Sequence, residues 1–350
     1  MKLRTSVSIG AVLAILAVLA AAVWFATQDA EKTIRRAVVE VAVASESASV
    51  GTSTAFPADA ALSAAAVAES MRAPLVKAKW GSKRGELGHA RPLEGNPEGP
   101  SSLAFAGRDL VVLDQVNGRA VRYDPRGNVI STFDAPITAQ EIAVALDGTT
   151  ALLDRLSAKT ITLTDPSGRS VGVLPLTGDT GLLTGVFFDG KDVYVEKEHG
   201  VLEKVGTTDG RRAAVVSTLQ GRPSRDGQLL LTATLAAPAA GKVTINAFDR
   251  TKAALRFARI VQVSAPARSI LLLDTDRNGI IYLGVAGGDP ETANVACLEP
   301  KEGKVIGRVQ LPTSVSPEES FRDLTVSDDG LIAYTLRDDD GVSYQTAHCP

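Results

Sequence analysis

The sequence predicts an all-β fold: a six-bladed β-propeller that follows an N-terminal transmembrane helix and a flexible linker. Six short turn signals recur along the last three-quarters of the chain, and their glycines are Gly107, Gly148, Gly190, Gly227, Gly279 and Gly330. Asp or Asn precedes five of them, and successive glycines are 41, 42, 37, 52 and 51 residues apart. Asp-Gly and Asn-Gly provide the positive φ angles of tight β-hairpins. A repeat in the forties with several strands per unit is typical of propeller blades.

Short apolar runs follow one another in the same order within each repeat. The clearest repeat spans 99–136, with strands expected at 102–105, 110–114, 120–123 and 129–133. The next repeat has the same runs at 142–144, 150–154, 160–163 and 171–174. Such β-rich runs between turn residues predict strands. The third and fourth repeats are weaker and show their second strands at 192–195 and 229–232.

The sixth repeat is incomplete. It has runs at 324–326, 331–335 and 342–346, and no outer strand follows them. An uncovered strand edge invites association with another edge. The segment 76–80, Val-Lys-Ala-Lys-Trp, precedes the first repeat and has the missing strand pattern. We therefore expect it to complete the last sheet, so that both ends of the domain 76–350 close the ring.

The first repeat resembles the NHL repeat of six-bladed propellers. The resemblance rests on the glycine-rich stretch Trp80–Gly88, on Leu110-Val111-Val112-Leu113-Asp114 and on Asn117-Gly118-Arg119-Ala120-Val121. It is clearest over 80–129, and the second repeat shares it through Asp154 and Asp165. NHL propellers bind proteins, RNA or small ligands, and lactonases and lyases share their shape. The resemblance therefore implies the architecture of residues 76–350 and no particular activity.

Charge and composition narrow the classes of function. The net charge is -3 with both signs interspersed, whereas a nucleic-acid binder usually shows a basic face. Aromatic residues make up 5% of the chain, so stacking platforms for bases or sugars are not indicated. We expect no nucleic-acid partner and no cofactor.

The N-terminus carries a long apolar segment. Residues 9–26 contain no charge and would rise roughly 27 Å as a helix, close to the ~30 Å of a bilayer core. A signal peptide cleaved after small residues such as Ala20-Ala21-Ala22 is the alternative. Trp24 and Phe25 extend the apolar run, and aromatic residues anchor spanning helices at the interface. We predict a retained signal-anchor over 1–26 in the inner membrane, with the propeller exported to the periplasm.

Residues 27–75 are rich in Ala and Ser and poor in large apolar side chains. Little apolar burial is then available to offset the entropy of ordering the chain. The composition predicts a flexible linker, and a segment that folds on a partner is the alternative.

Cys297 and Cys349 are the two cysteines. A disulfide between them fits an exported protein, and two separate buried thiols are the alternative. Neither belongs to a Cys-x-x-Cys pair, so a zinc site has little support.

One segment alternates oxygen ligands as calcium loops do. Asp274, Asp276 and Asn278 lie two residues apart before Gly279 and are weak candidates for a metal site. An EF-hand loop needs a glutamate at its twelfth position, which is Val285 here. A polar hairpin turn is the stronger interpretation.

A propeller enzyme would hold a metal in its central channel. The acids near inner-strand starts are Glu141, Asp179, Glu319 and Asp323, and the sequence does not assemble them into a site. The histidines His89, His199 and His348 lie far apart, and no Gly-x-Ser-x-Gly occurs. No catalytic residue is predicted.

We therefore predict a non-catalytic, membrane-tethered scaffold that binds a protein or ligand in the bacterial cell envelope, with an envelope protein as partner. The alternative is a metal-dependent propeller enzyme of the lactonase or lyase type. A purely structural stalked domain is a third possibility.

Overall fold

The predicted turns separate strands of a six-bladed propeller. The computed structural model describes residues 74–314 and 320–349, and within these ranges 24 strands form six four-stranded antiparallel sheets. All six turn glycines have positive φ, from 59° at Gly190 to 84° at Gly148. Glycine adopts this conformation without the steric cost that a Cβ brings, so the hairpins form where the sequence predicts them.

Each blade is a meander of four strands numbered outward from the ring centre. Blade 1 contains β2 (Ser102–Ala106), β3 (Asp109–Asp114), β4 (Arg119–Tyr123) and β5 (Val129–Asp134). Blade 2 contains β6 (Glu141–Val144), β7 (Thr150–Asp154), β8 (Thr160–Thr164) and β9 (Ser170–Pro175). Blade 3 contains β10 (Leu183–Asp189), β11 (Asp192–Lys197), β12 (Val201–Thr207) and β13 (Thr218–Gln220).

The second half of the ring has longer strands. Blade 4 contains β14 (Arg222–Pro223), β15 (Leu229–Ala237), β16 (Lys242–Asp249) and β17 (Ala254–Gln262). Blade 5 contains β18 (Ala267–Thr275), β19 (Ile281–Gly287), β20 (Asp289–Leu298) and β21 (Val305–Pro312). Blade 6 contains β22 (Leu324–Val326), β23 (Ile332–Arg337), β24 (Gly341–Ala347) and β1 (Val76–Lys79). Short 3-10 helices occupy Gln115–Asn117, Thr180–Leu182 and Pro238–Ala240.

The ring closes as predicted. β1 pairs antiparallel with β24, and the register places Val76 opposite Tyr344 and Ala78 opposite Val342. Val76 and Ala78 are buried against blade 1, while Lys77 and Lys79 face solvent. The alternation of apolar and charged residues in this strand therefore decides which of its faces packs inward.

Apolar cores fill the seams between neighbouring blades. The largest joins blades 4 and 5 through side chains such as Leu231, Ile245 and Leu283. Similar clusters join blades 6 and 1, 5 and 6, 2 and 3, and 1 and 2. Because each blade buries apolar residues on both faces, the ring is stable only as a stack of neighbours.

The ring has two faces with different loops. The connections from one blade to the next, and from second to third strands, emerge on the face we call the upper face. The six glycine turns join first to second strands and lie on the lower face, together with the turns between third and fourth strands.

The predicted N-terminal transmembrane helix and the linker up to residue 73 lie outside the described residues. Among residues 74–314 and 320–349, no helix has the length and apolar character needed to cross a bilayer.

Candidate functional site

The upper mouth of the central channel holds a cluster of ionised side chains from several blades. Glu141 is the first residue of β6, and Arg222 is the first residue of β14. Glu196 lies near the upper end of β11, and Arg322 precedes β22 by two positions. First strands begin and second strands end at the upper face, so the topology brings these four side chains together.

Glu196 and Arg222 form a two-pronged ion pair between blades 3 and 4. The Nε and Nη2 atoms of Arg222 lie 2.7 Å and 2.8 Å from the two carboxylate oxygens of Glu196. Thr184 also donates its hydroxyl to Glu196, over 2.9 Å. Arg222 donates its remaining Nη1 to the carbonyl of Leu273 in blade 5. Such planar, bidentate contacts are the strongest form of charged hydrogen bond.

Glu141 and Arg322 form a second pair across the ring, from blade 2 to the segment that leads into blade 6. The other oxygen of Glu141 accepts a hydrogen bond from the backbone N–H of Val186 over 2.6 Å. Glu141 is fully buried. Its carboxylate is therefore held by partners on both oxygens.

Phe187 of β10 contacts both cations. The guanidinium carbon of Arg222 is 4.7 Å from the ring centroid, and that of Arg322 is 5.5 Å away. Cations within about 6 Å of an aromatic face are attracted to the ring. The aromatic ring thus attracts both guanidinium groups and offsets part of their mutual repulsion.

The two carboxylates differ in their ease of ionisation. Burial raises the pKa of Glu141, and the nearby Arg322 guanidinium only partly opposes that shift. Burial acts in the same direction at Glu196, but the charge and hydrogen bonds of Arg222 outweigh it and hold the pKa of Glu196 well below its usual range. The two-pronged contact with Arg222 therefore outweighs the burial of Glu196, whereas the single contact with Arg322 does not outweigh that of Glu141.

The carboxylates of the channel cluster are engaged with partners inside the protein. Each carboxylate oxygen of Glu141 and Glu196 already accepts from a cation or a hydrogen-bond donor. A general acid or base needs a position within hydrogen-bond reach of substrate. This region is thus a network of charged side chains from blades 2, 3, 4 and 6, joined to blade 5 through the carbonyl of Leu273.

An acidic residue lies at or near the end of the second strand in each of blades 1 to 3. Asp114, Asp154 and Glu196 occupy equivalent positions in blades 1 to 3 and are all buried. Asp114 accepts from the Gly88 N–H and from the side chains of Asn117 and Arg119 at 2.8 to 2.9 Å. Asp154 accepts from the Ser157 N–H over 2.8 Å, which holds the following turn.

Three exposed apolar side chains share the upper face of blades 1 to 3. Ile137 is 71% exposed, Leu156 57% and Leu182 46%. They lie on the β5–β6, β7–β8 and β9–β10 connections, all of which emerge on this face. We call these three residues the upper apolar patch.

Hydrogen bonds fix the three loops of the patch to one another. Thr138, beside Ile137, donates its hydroxyl to Asp154. The backbone N–H of Arg155, beside Leu156, donates a hydrogen bond to the side-chain oxygen of Gln140 over 2.9 Å. Its guanidinium donates to the carbonyls of Gly181 and Leu183, on either side of Leu182, over 3.0 and 2.7 Å. Exposed apolar residues on rigid loops are a feature of binding surfaces.

The weak metal candidates already have other partners. Asp274 forms an ion pair with Arg225 over 2.8 Å. One oxygen of Asp276 accepts from the N–H groups of Asn278 and Ile280, both over 2.9 Å, as in a polar hairpin turn. Across the described ranges, no three His, Cys, Asp or Glu side chains group as metal ligands.

The other acids and histidines considered from sequence lie in separate places. Asp179 accepts from Gly181 at the start of a 3-10 helix, and Asp323 pairs with Arg337 over 2.7 Å. His89 stacks on Trp80 with centroids 4.6 Å apart, and His199 lies 3.5 Å from Glu196. His348 lines a cleft on the lower face. Glu319 lies outside the described residues.

Cys297 and Cys349 are joined by a disulfide, with Cα atoms 6.3 Å apart. This separation lies within the range that a disulfide spans. The bond ties β20 of blade 5 to the chain just after β24 of blade 6.

The fold and site define a six-bladed β-propeller with two ion pairs between blades at its upper face. No protein-family model matches the sequence, and no curated protein matches it. Solved structures with similar folds include hydrazine synthase of Kuenenia stuttgartiensis, 14% identical with a TM-score of 0.44 over 67% of this chain and 76% of that one. BamB of Moraxella catarrhalis is 13% identical with a TM-score of 0.40, over 78% and 97% of the two chains. A streptogramin B lyase is 11% identical with a TM-score of 0.42, over 75% and 97%. Similarity at this level carries no information about function.

Proposed function

We propose that this chain is a membrane-tethered binding scaffold of the bacterial cell envelope, with its propeller in the periplasm and a protein partner on the upper face. The observation that carries the proposal is the upper apolar patch, whose exposed side chains stand on loops fixed by hydrogen bonds. A preformed surface binds a partner without paying for loop ordering.

Two further features support the proposal. The disulfide between Cys297 and Cys349 suits an oxidising compartment such as the periplasm. The apolar, uncharged segment 9–26 is long enough to hold the chain in the inner membrane. A partner that binds the upper face would leave the apolar seams between blades undisturbed.

A site-specific crosslinking experiment tests the proposal. A photoreactive amino acid replaces Leu156 in the full-length chain, which is produced in a Gram-negative host and crosslinked in intact cells. The control position is Val216, which is 72% exposed on the β12–β13 connection of the lower face. We expect one envelope protein to be crosslinked at position 156 and not at position 216. Leu182→Asp should abolish the crosslink at position 156.

Three results would contradict the proposal. One is equal capture from both positions, and another is recovery of the chain in the soluble cytoplasmic fraction. The third is one equivalent of metal per purified chain, lost on Glu141→Gln together with hydrolysis of a lactone, which would establish the enzyme alternative.

A further inference from the structure

The lower face has a cleft at the seam where blades 6 and 1 meet. Its volume is about 150 Å³. Apolar side chains form its walls, namely Leu75, Phe105, Pro125 and Leu331. An apolar cavity of about 150 Å³ is large enough to hold a benzene ring. The cleft therefore fits one phenyl-sized or branched aliphatic group.

The polar lining of the cleft includes one arginine, Arg108, and one aspartate, Asp329. Arg108 stands at the rim, its side chain 79% exposed, and its only ion pair among the described residues is a loose one, 3.8 Å from Asp329. Asp329 is held more closely by Arg277, over 2.6 Å. Two guanidinium groups thus share one carboxylate.

Arg108 keeps its donors available. It makes no hydrogen bond to any residue in 74–314 or 320–349, so its planar fork is free to engage a carboxylate in a bidentate manner. Because Arg277 holds Asp329, the guanidinium of Arg108 is the group at the cleft that can bind an anion, and the apolar walls favour a hydrocarbon group beside it. His348 also lines the cleft and adds a further donor near the mouth.

We propose that this cleft binds a small apolar carboxylate. The hydrocarbon group lies between Phe105 and Leu331, and the carboxylate accepts hydrogen bonds from Arg108. A free organic acid and the C-terminal residue of a peptide present the same chemistry. This site lies on the face opposite the upper apolar patch and does not depend on the scaffold function.

Binding of 3-phenylpropionate to the full-length chain tests the proposal, with 3-phenylpropanamide as the neutral counterpart. We expect the carboxylate to bind at least tenfold more tightly than the amide by titration calorimetry. Arg108→Gln should abolish that preference, and Arg211→Gln, an exposed arginine on blade 3, should leave it intact. Equal affinities for the two compounds, or an unchanged preference in Arg108→Gln, would overturn the proposal.

A second variant separates loss of the site from loss of the fold. Leu331→Phe adds volume to the cleft wall, so it should remove binding while thermal stability stays the same or rises. Retained binding in this variant with intact stability would place the ligand elsewhere. A dipeptide ending in phenylalanine then identifies the source: tighter binding than 3-phenylpropionate indicates a peptide C-terminus, and weaker binding indicates a free acid.

Discussion

Arg322 and Glu141 form an ion pair across the central channel although they are 181 positions apart in the chain. The pair joins the segment before blade 6 to the first strand of blade 2, so it can form only when the ring has closed. Arg222 and Glu196 form a second ion pair nearby, between blades 3 and 4. Formation of the pair between Arg322 and Glu141 therefore depends on closure of the ring.

Replacement of Arg322 by Met should leave Glu141 buried without its ion-pair partner. Removing one partner of a buried pair typically lowers the free energy of unfolding by about 3–5 kcal/mol at pH 7. Arg322→Met/Glu141→Met should recover most of this loss, because two apolar groups replace two charges. Urea unfolding of both variants provides the measurement.

The same variant should show a defined pH dependence. Burial already raises the pKa of Glu141, and loss of Arg322 should raise it further. A group whose pKa rises on folding stabilises the fold below its unfolded-state pKa and loses that contribution as the pH rises through the folded value. The deficit of Arg322→Met should therefore be small at about pH 4, where Glu141 is protonated in both folded chains, and larger at about pH 8, because it grows only once the pH passes the raised pKa of Glu141 in the parent chain. A deficit that is the same at both pH values would show that lost packing, and not the charge of Glu141, is responsible.

Deletion of Val76–Lys79 should destabilise the whole propeller. The deletion removes buried Val76 and Ala78 and exposes the edge of β24, so we expect a loss of at least about 3 kcal/mol and concentration-dependent association. Deletion of residues 40–70 is the control and should leave the melting temperature unchanged. An unchanged melting temperature after the first deletion would mean that β1 contributes little to closure.

Asp114 should matter for stability far more than an exposed acid does. Asp114→Ala leaves the Gly88 N–H without its acceptor and Arg119 without its partner, so we expect a loss of about 3–4 kcal/mol. Asp209→Ala removes a surface ion pair with Arg211 that water screens, so its effect on stability should be much smaller. Chemical denaturation of the two variants makes the comparison, and similar losses would contradict a buried structural role for Asp114.

Reduction of the bond between Cys297 and Cys349 should lower stability without unfolding the ring. The two cysteines are 52 positions apart, and a loop of that length corresponds to about 4 kcal/mol in the chain-entropy account. The Cys297→Ala/Cys349→Ala variant should melt at the same temperature with and without reductant. Two free thiols in mass analysis of the exported, non-reduced protein would rule the bond out.

Local patterns were sufficient to predict most of the fold. Asp-Gly and Asn-Gly identify the turns between first and second strands, and the apolar runs around them predict the strands of blades 1 and 2. The role of 76–80 follows from the missing outer strand of the sixth repeat. The residue types at the turn of Glu198 and His199 do not predict its backbone conformation, because both residues adopt positive φ without being Gly or Asn. Its geometry is imposed by the flanking strands β11 and β12.

The sequence did not predict the channel cluster, because its members share no local pattern. Glu141 was one of four candidate acids, while Arg222 and Arg322 carry no signal that sets them apart from other arginines. Glu196 could have been recognised, since it follows Gly190 by the same six positions that separate Asp154 from Gly148. The lower cleft is equally hidden, because its walls come together only when blade 6 meets blade 1.

The pairing of β1 with β24 has a consequence for biosynthesis. Val76 leaves the ribosome first, and its partner Tyr344 follows roughly 270 residues later. At about 5–20 residues per second, that delay is on the order of 15–50 s. During this interval β1 has no native partner, and a chain that terminates before β24 never acquires one. β1 can therefore pair only after β24 has been translated. Premature termination before β24 should yield an open ring that proteases can recognise.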